Sequence, residues 1–142
     1  MSLARVCRKE VVTVSPDTNL LEVAKLLRSQ HVGSVVVVEE HRPVGILTDR
    51  DIIVKVVAEE KDPKAMQAYE IMTTNPALVN INLDPLDATR IMRDRGLRRL
   101  PVVDENRHLL GIMTLDDVLG LLGRETQNLA EAVHSEIAKE SA

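Results

Sequence analysis

The chain has 142 residues, 44% of them hydrophobic, enough to fill one compact domain or two very small ones and to exclude wholesale disorder. With one tyrosine (Tyr69), no tryptophan and no phenylalanine, it offers no stacking platform for single-stranded nucleic acid, and 18 basic against 22 acidic residues (net charge −4) give no broad phosphate-binding surface. A single cysteine, Cys7, excludes an internal disulfide and fits a reducing compartment; with no leader pattern and no apolar run of spanning length, the expectation is a cytoplasmic protein off the membrane.

Residues 11–14 form a short β-branched run that ends at Ser15-Pro16-Asp17-Thr18, residues suited to starting a helix. From Leu20 the apolar positions Leu20, Val23, Ala24 and Leu27 follow helical spacing. Residues 34–39 are a bounded valine run, which predicts a buried strand. His41-Arg42-Pro43 turns the chain into a second strand over 44–48, and 49–60 returns to helical spacing through Ile52, Ile53, Val56 and Val57.

The same order then recurs: strand 77–81, helix 86–95, strands 100–104 and 109–114, helix 116–122. Val6 aligns with Ile71 at a spacing of 65 residues, which places Leu26-Leu27 on Ile91-Met92 and Val37-Val38 on Val102-Val103. One extra residue in the second hairpin turn, where a length change is best tolerated, brings Gly45-Ile46-Leu47-Thr48 onto Gly111-Ile112-Met113-Thr114 and Asp51 onto Asp117. The expected organisation is repeat 6–60, joint 61–70, repeat 71–123 and an amphipathic tail helix over 124–142. Gly123 is the expected helix stop before the tail, in which Leu129, Val133 and Ile137 recur four apart. One repeat alone would leave a sheet face uncovered, so the predicted fold class is α/β, two β-α-β-β-α repeats packed as a pseudo-twofold sandwich.

The Gly-hydrophobic-x-Thr-x-x-Asp turn admits two readings. Thr48 and Thr114 stand where a strand ends and a helix begins, a place whose hydroxyl and unpaired N–H groups suit a phosphate. Asp51 and Asp117, three residues on, can accept the vicinal hydroxyls of a ribose. Equally, the threonines are helix N-caps and Asp49, Asp51, Asp116 and Asp117 favour the helix dipole. His31, His41, His108 and His134 lack metal-ligand spacing, and Cys7 and the hydroxyl residues form no triad, so no catalytic group and no metal is expected.

From Val35-Val36-Val37-Val38 through Gly45-Ile46-Leu47-Thr48-Asp49-Arg50-Asp51, and again from Leu100-Pro101-Val102-Val103-Asp104 through Gly111-Ile112-Met113-Thr114-Leu115-Asp116-Asp117, the chain resembles the paired cystathionine-β-synthase-type (CBS) domains known as Bateman modules. The resemblance runs from about Val6 to Leu122. It implies a stand-alone regulatory module, not an enzyme, that forms a homodimer through helices and binds AMP, ADP, ATP or S-adenosylmethionine. It also implies crossed clefts, one combining Thr48, Arg50 and Asp51 with Ala77, Arg98 and Arg99, the other combining Thr114 and Asp117 with Val12, Gly33 and Ser34.

Arg98-Arg99 aligns with Gly33-Ser34, so on this reading only the first cleft has cations to meet phosphates; alternatively the arginines pair with Asp94 and Glu105 at a solvated loop tip. The expected function is adenine-nucleotide sensing with the ligand state passed to a partner, an enzyme or transporter. The competing reading is a ligand-independent dimerisation or protein-interaction adaptor. Binding of nucleic acid is disfavoured by the charge and the missing aromatics.

Overall fold

A computed structural model of the chain describes residues 2–140, with the side chain of Glu140 excepted; the last two residues of the expected tail lie outside the described residues. The first repeat runs α1 (Leu3–Val6), β1 (Thr13–Val14), α2 (Leu20–Gln30), β2 (Ser34–Glu39), β3 (Arg42–Thr48) and α3 (Asp49–Ile52), which continues as a π-helical turn over Ile53–Val57. After two 3₁₀ turns, Pro63–Ala65 and Ala68–Glu70, the second runs β4 (Thr73–Thr74), β5 (Val79–Asn80), α4 (Pro85–Arg95), β6 (Arg99–Val103), β7 (Leu109–Thr114) and α5 (Leu115–Glu140).

The valine run makes β2 because three consecutive residues are buried, Val35, Val36 and Val37, as expected for a strand covered on both faces. Each such side chain contributes roughly 1.5–3 kcal/mol of burial before entropy is counted. Strand β2 pairs parallel with β1 and antiparallel with β3; β6 does the same with β5 and β7, so both repeats share one topology. Helix α2 is capped by Asn19, whose side chain accepts the Glu22 N–H, and α4 by Asp84, with Pro85 at its first position.

Several boundaries differ from the sequence reading. The first hairpin turn is Glu40-His41, both at positive φ, so Arg42 and Pro43 already belong to β3. Of the expected strands 11–14 and 77–81, only Thr13–Val14 and Val79–Asn80 are regular strand, each extended by one backbone hydrogen bond, at Val12 and Ile81. Gly123 does not stop a helix: α5 runs through it unbroken, because Gly123 stays out of the left-handed conformation that ends helices, and a helical glycine costs only about 1 kcal/mol.

Two of the elements without a sequence forecast, α1 and the turn Ala68–Glu70, exchange between the repeats. Leu3 and Val6 of α1 are buried in the core of the second repeat, with Met92, Leu100 and Met113. Ala68 and Ile71, 65 residues later, are buried in the core of the first, with Leu20, Val35 and Leu47. The strands that follow cross over as well: Thr73 pairs with Ile46 of β3, and Arg8 pairs with Ile112 of β7 through backbone hydrogen bonds of 2.8 and 2.9 Å.

Candidate functional site

The exchange explains the glycine of the repeated turn. A methyl group on Gly111 would stand 2.6 Å from the Arg8 carbonyl oxygen and 3.1 Å from the Cys7 sulfur; on Gly45 it would collide with the Met72 side chain. The glycines leave room for the crossing segment to lie on the strand.

Beyond the glycines, the turn forms a helix cap in both repeats. Thr48 caps α3: its hydroxyl accepts the Asp51 N–H at 3.1 Å, and Asp51 Oδ2 accepts the Thr48 N–H at 2.9 Å, a reciprocal capping box. Lys55 Nζ stands 3.4 Å from Asp51 Oδ1 and also donates to the Ile71 carbonyl. In the second repeat Thr114 likewise accepts the Asp117 N–H at 3.1 Å, but its carboxylate is held from across the exchange. Arg8 Nε donates to both Asp117 oxygens at 3.1 and 3.0 Å, and a terminal nitrogen donates to Oδ1 at 2.9 Å. Burial works against ionisation of Asp117, yet the donors Arg8 and Thr114 outweigh it and hold the carboxyl below its ordinary value. Burial pushes the Cys7 thiol up, away from a reactive thiolate.

Two cavities open where the repeats meet. The first, of about 320 Å³, brings Thr48 and Ala77 together with Arg98 and Arg99, against an apolar wall that includes Ile46 and Leu97. The second, of about 210 Å³, brings Val12, Gly33 and Ser34 together with Thr114, and Val36 and Ile112 supply its apolar wall. Arg50, Asp51 and Asp117 do not line these cavities. Asp51 and Asp117 sit in the first turns of the helices that begin at the cleft threonines, and Arg50 is exposed. A shallower depression that holds Asp117 adjoins the second cavity and shares Arg8 and Asp116 with it.

The expectation that only the first cleft carries cations is overturned. Arg98 and Arg99 line both cavities, and Arg8 adds a third arginine to the lining of the second. The reason is the pseudo-twofold: β6 starts opposite the start of β2, and Gly33, lacking a side chain, lets Arg99 lie over it. Neither Asp94 nor Glu105 takes these arginines; Asp94 pairs with Arg93, and Arg98 approaches Asp116 at 3.7 Å. Arg8 was missed by the sequence reading. The only signal was its alignment with Thr73, which does not show that the segment crosses to the other repeat.

His31 lines the second cavity, while His41 and His108 meet edge to face, 6.2 Å between ring centroids, where the two hairpin turns touch. Among the described residues no three His, Cys, Asp or Glu side chains gather as a metal ion would require, and no helix is long and apolar enough to cross a membrane. Guanidinium pairs beside apolar walls, at the starts of helices, can accept a flat apolar group carrying anionic substituents.

The CBS domain model matches residues 3–58 and 68–124. Among curated proteins the chain is 40% identical over 120 residues to an uncharacterized protein of Methanopyrus kandleri, covering 84% of this chain and 61% of that one, so it spans less than two thirds of that relative. It is 38% identical over 109 residues to the CBS domain-containing protein YhcV of Bacillus subtilis, covering 77% and 76%. Among solved structures it is similar to the CBS domain pair of protein MJ0100 in complex with 5-methylthioadenosine and S-adenosyl-L-methionine, at 27% identity and TM-score 0.78 over 88% of this chain and 98% of that one. It is also similar to the cytosolic domain of the Mg2+ channel MgtE in complex with ATP, at 32% identity and TM-score 0.73 over 84% and 48%.

Proposed function

This chain belongs to the CBS domain family, and we propose that it is a regulatory module that binds an adenosine-containing ligand between its repeats and passes the ligand state to a partner. The observation that carries the reading is the pair of cavities at the repeat junction, both lined by Arg98 and Arg99 and each edged by a cap threonine. The adenine lies on the apolar walls and the phosphates meet the guanidinium groups, with Thr48, Ala77 and Asp51 serving one cleft and Val12, Gly33, Ser34 and Thr114 the other. The ligands of those two structures, 5-methylthioadenosine and S-adenosyl-L-methionine with MJ0100 and ATP with MgtE, mark out the chemical class.

Signalling requires that the ligand favour one arrangement of the repeats over another. A second copy of the chain is the proposed first partner: Ile53 and Val57 after α3, and Leu119 and Leu122 on α5, are large apolar residues left exposed, a face suited to homodimerisation. The test is thermal unfolding with AMP, ADP, ATP and S-adenosylmethionine. At a ligand concentration a hundred times Kd, native-state binding adds about 2.7 kcal/mol and raises Tm by several degrees. If none of the four moves Tm, the nucleotide reading fails and the adaptor reading takes its place.

A further inference from the structure

Asp51 and Asp117 hold equivalent places in the two repeats, yet the cations that meet them differ. At the position 65 residues before Thr73 the chain has Arg8, and Arg8 grips Asp117 through three hydrogen bonds of 2.9–3.1 Å, using both carboxylate oxygens. Thr73 makes no such contact with Asp51; Asp51 gives Oδ2 to the Thr48 backbone and keeps Oδ1 within 3.4 Å of Lys55, a flexible side chain that also serves the Ile71 carbonyl. To receive a vicinal diol, a carboxylate must offer acceptor positions on its outer edge. Asp117 has that edge occupied, and the two-point guanidinium grip must be released before a diol can take its place. The backbone of Arg8 is itself fixed by its reciprocal pairing with Ile112, which holds the root of the side chain in place.

We propose that Arg8 is a specificity-determining residue: it withholds Asp117 from a sugar, so that the second cleft is indifferent to a ribose diol while the first reads it through Asp51. The proposal rests on the nucleotide-binding reading above. Asp117 then serves to position Arg8, which lines the second cleft with Arg98 and Arg99. The second cleft thereby takes adenine nucleotides by charge, whatever their sugar, whereas the first requires the ribo form.

The experiment is calorimetric titration of the full chain with ADP and with 2′-deoxy-ADP. In the wild type one class of site prefers ADP at least tenfold and the other binds both alike. Asp51→Asn, which keeps an acceptor for the Thr48 N–H, removes the preference. Arg8→Thr in the Asp51→Asn background frees Asp117 and restores a several-fold preference for ADP. Arg8→Lys in the same background, which retains the charge without the two-point grip, restores part of it and serves if the threonine variant does not fold. A preference that persists in Asp51→Asn, or that fails to return in a folded Arg8 variant, overturns the assignment. Failure of the wild type to bind either nucleotide overturns the preceding functional reading, and this one with it.

Discussion

Arg99 lies over Gly33: a methyl group on Gly33 would stand 3.1 Å from a terminal guanidinium nitrogen of Arg99 and 3.4 Å from a carboxylate oxygen of Asp49. The residue that aligns with Arg99 in the first repeat is Ser34, so one repeat donates a guanidinium to the junction and the other makes space for it.

Arg99 lines both clefts, so its loss should be felt in both. Arg99→Ser is expected to weaken binding of ADP at each class of site by about ten- to a hundredfold, the range for removing a hydrogen bond to a charged group. Calorimetry checks this; a loss confined to one class of site would assign Arg99 to that cleft alone.

The two glycines beneath the crossing segments should differ in tolerance. Gly111→Ala meets the Arg8 backbone, which cannot yield without shifting the strand pairing, and is expected to cost about 1–3 kcal/mol. Gly45→Ala meets first the Met72 side chain, which can turn aside, and costs less. Urea unfolding of the two variants ranks them; equal losses would contradict the account.

Acid should weaken the Arg8–Asp117 grip in a defined direction. Because the native Asp117 carboxyl lies below its ordinary value, its contribution is fully present above the unfolded-state value of about 3.9 and is lost as pH falls through the native one. Arg8 is well exposed, so the contribution stays below about 1 kcal/mol. Arg8→Thr should therefore be less stable than wild type at pH 6, with the gap closing below about pH 4. A gap independent of pH would mean that the variant acts through packing.

Helices α2 and α4 end alike, in the left-handed region, but with His31 at φ 53° in the first repeat and Gly96 at φ 65° in the second. Gly96 has open space where a side chain would go, so Gly96→Ala tests backbone strain alone and is expected to cost about 1 kcal/mol. His31→Gly should gain up to about 1 kcal/mol, with the greater freedom of the unfolded chain working against it. Melting temperatures would show the opposite signs.

What could be read from the chain was what repeats or alternates locally. The valine run of β2 and the 109–114 strand are each determined by neighbours within a few residues, and the spacing of 65 tied the halves together; the caps Asn19 and Asp84 were not legible, the first helix start being expected at 15–18. The exchange was not readable, because α1 is only four residues long and Leu3, Val6, Ala68 and Ile71 carry no periodic signature; what fixes them is a core formed by residues far away in sequence. The cap threonines were legible as strand ends. The cations were not, since whether Arg98 and Arg99 face one cleft or two depends on how β2 and β6 meet across the pseudo-twofold. Gly123 misled for a related reason: a glycine permits a helix to end without requiring it.

The crossed opening segments also bear on how this chain could be divided. Cut at residue 60, the first half would keep α1 but lose the core that Leu3 and Val6 fill, and its own core would lack Ala68 and Ile71. The second half would have the converse surplus and deficit. Each fragment thus carries a plug that fits the other and a socket that it cannot close by itself. Mixed in equal amounts, the fragments have reason to reassemble, whereas either one alone is driven to trade segments with another copy of itself.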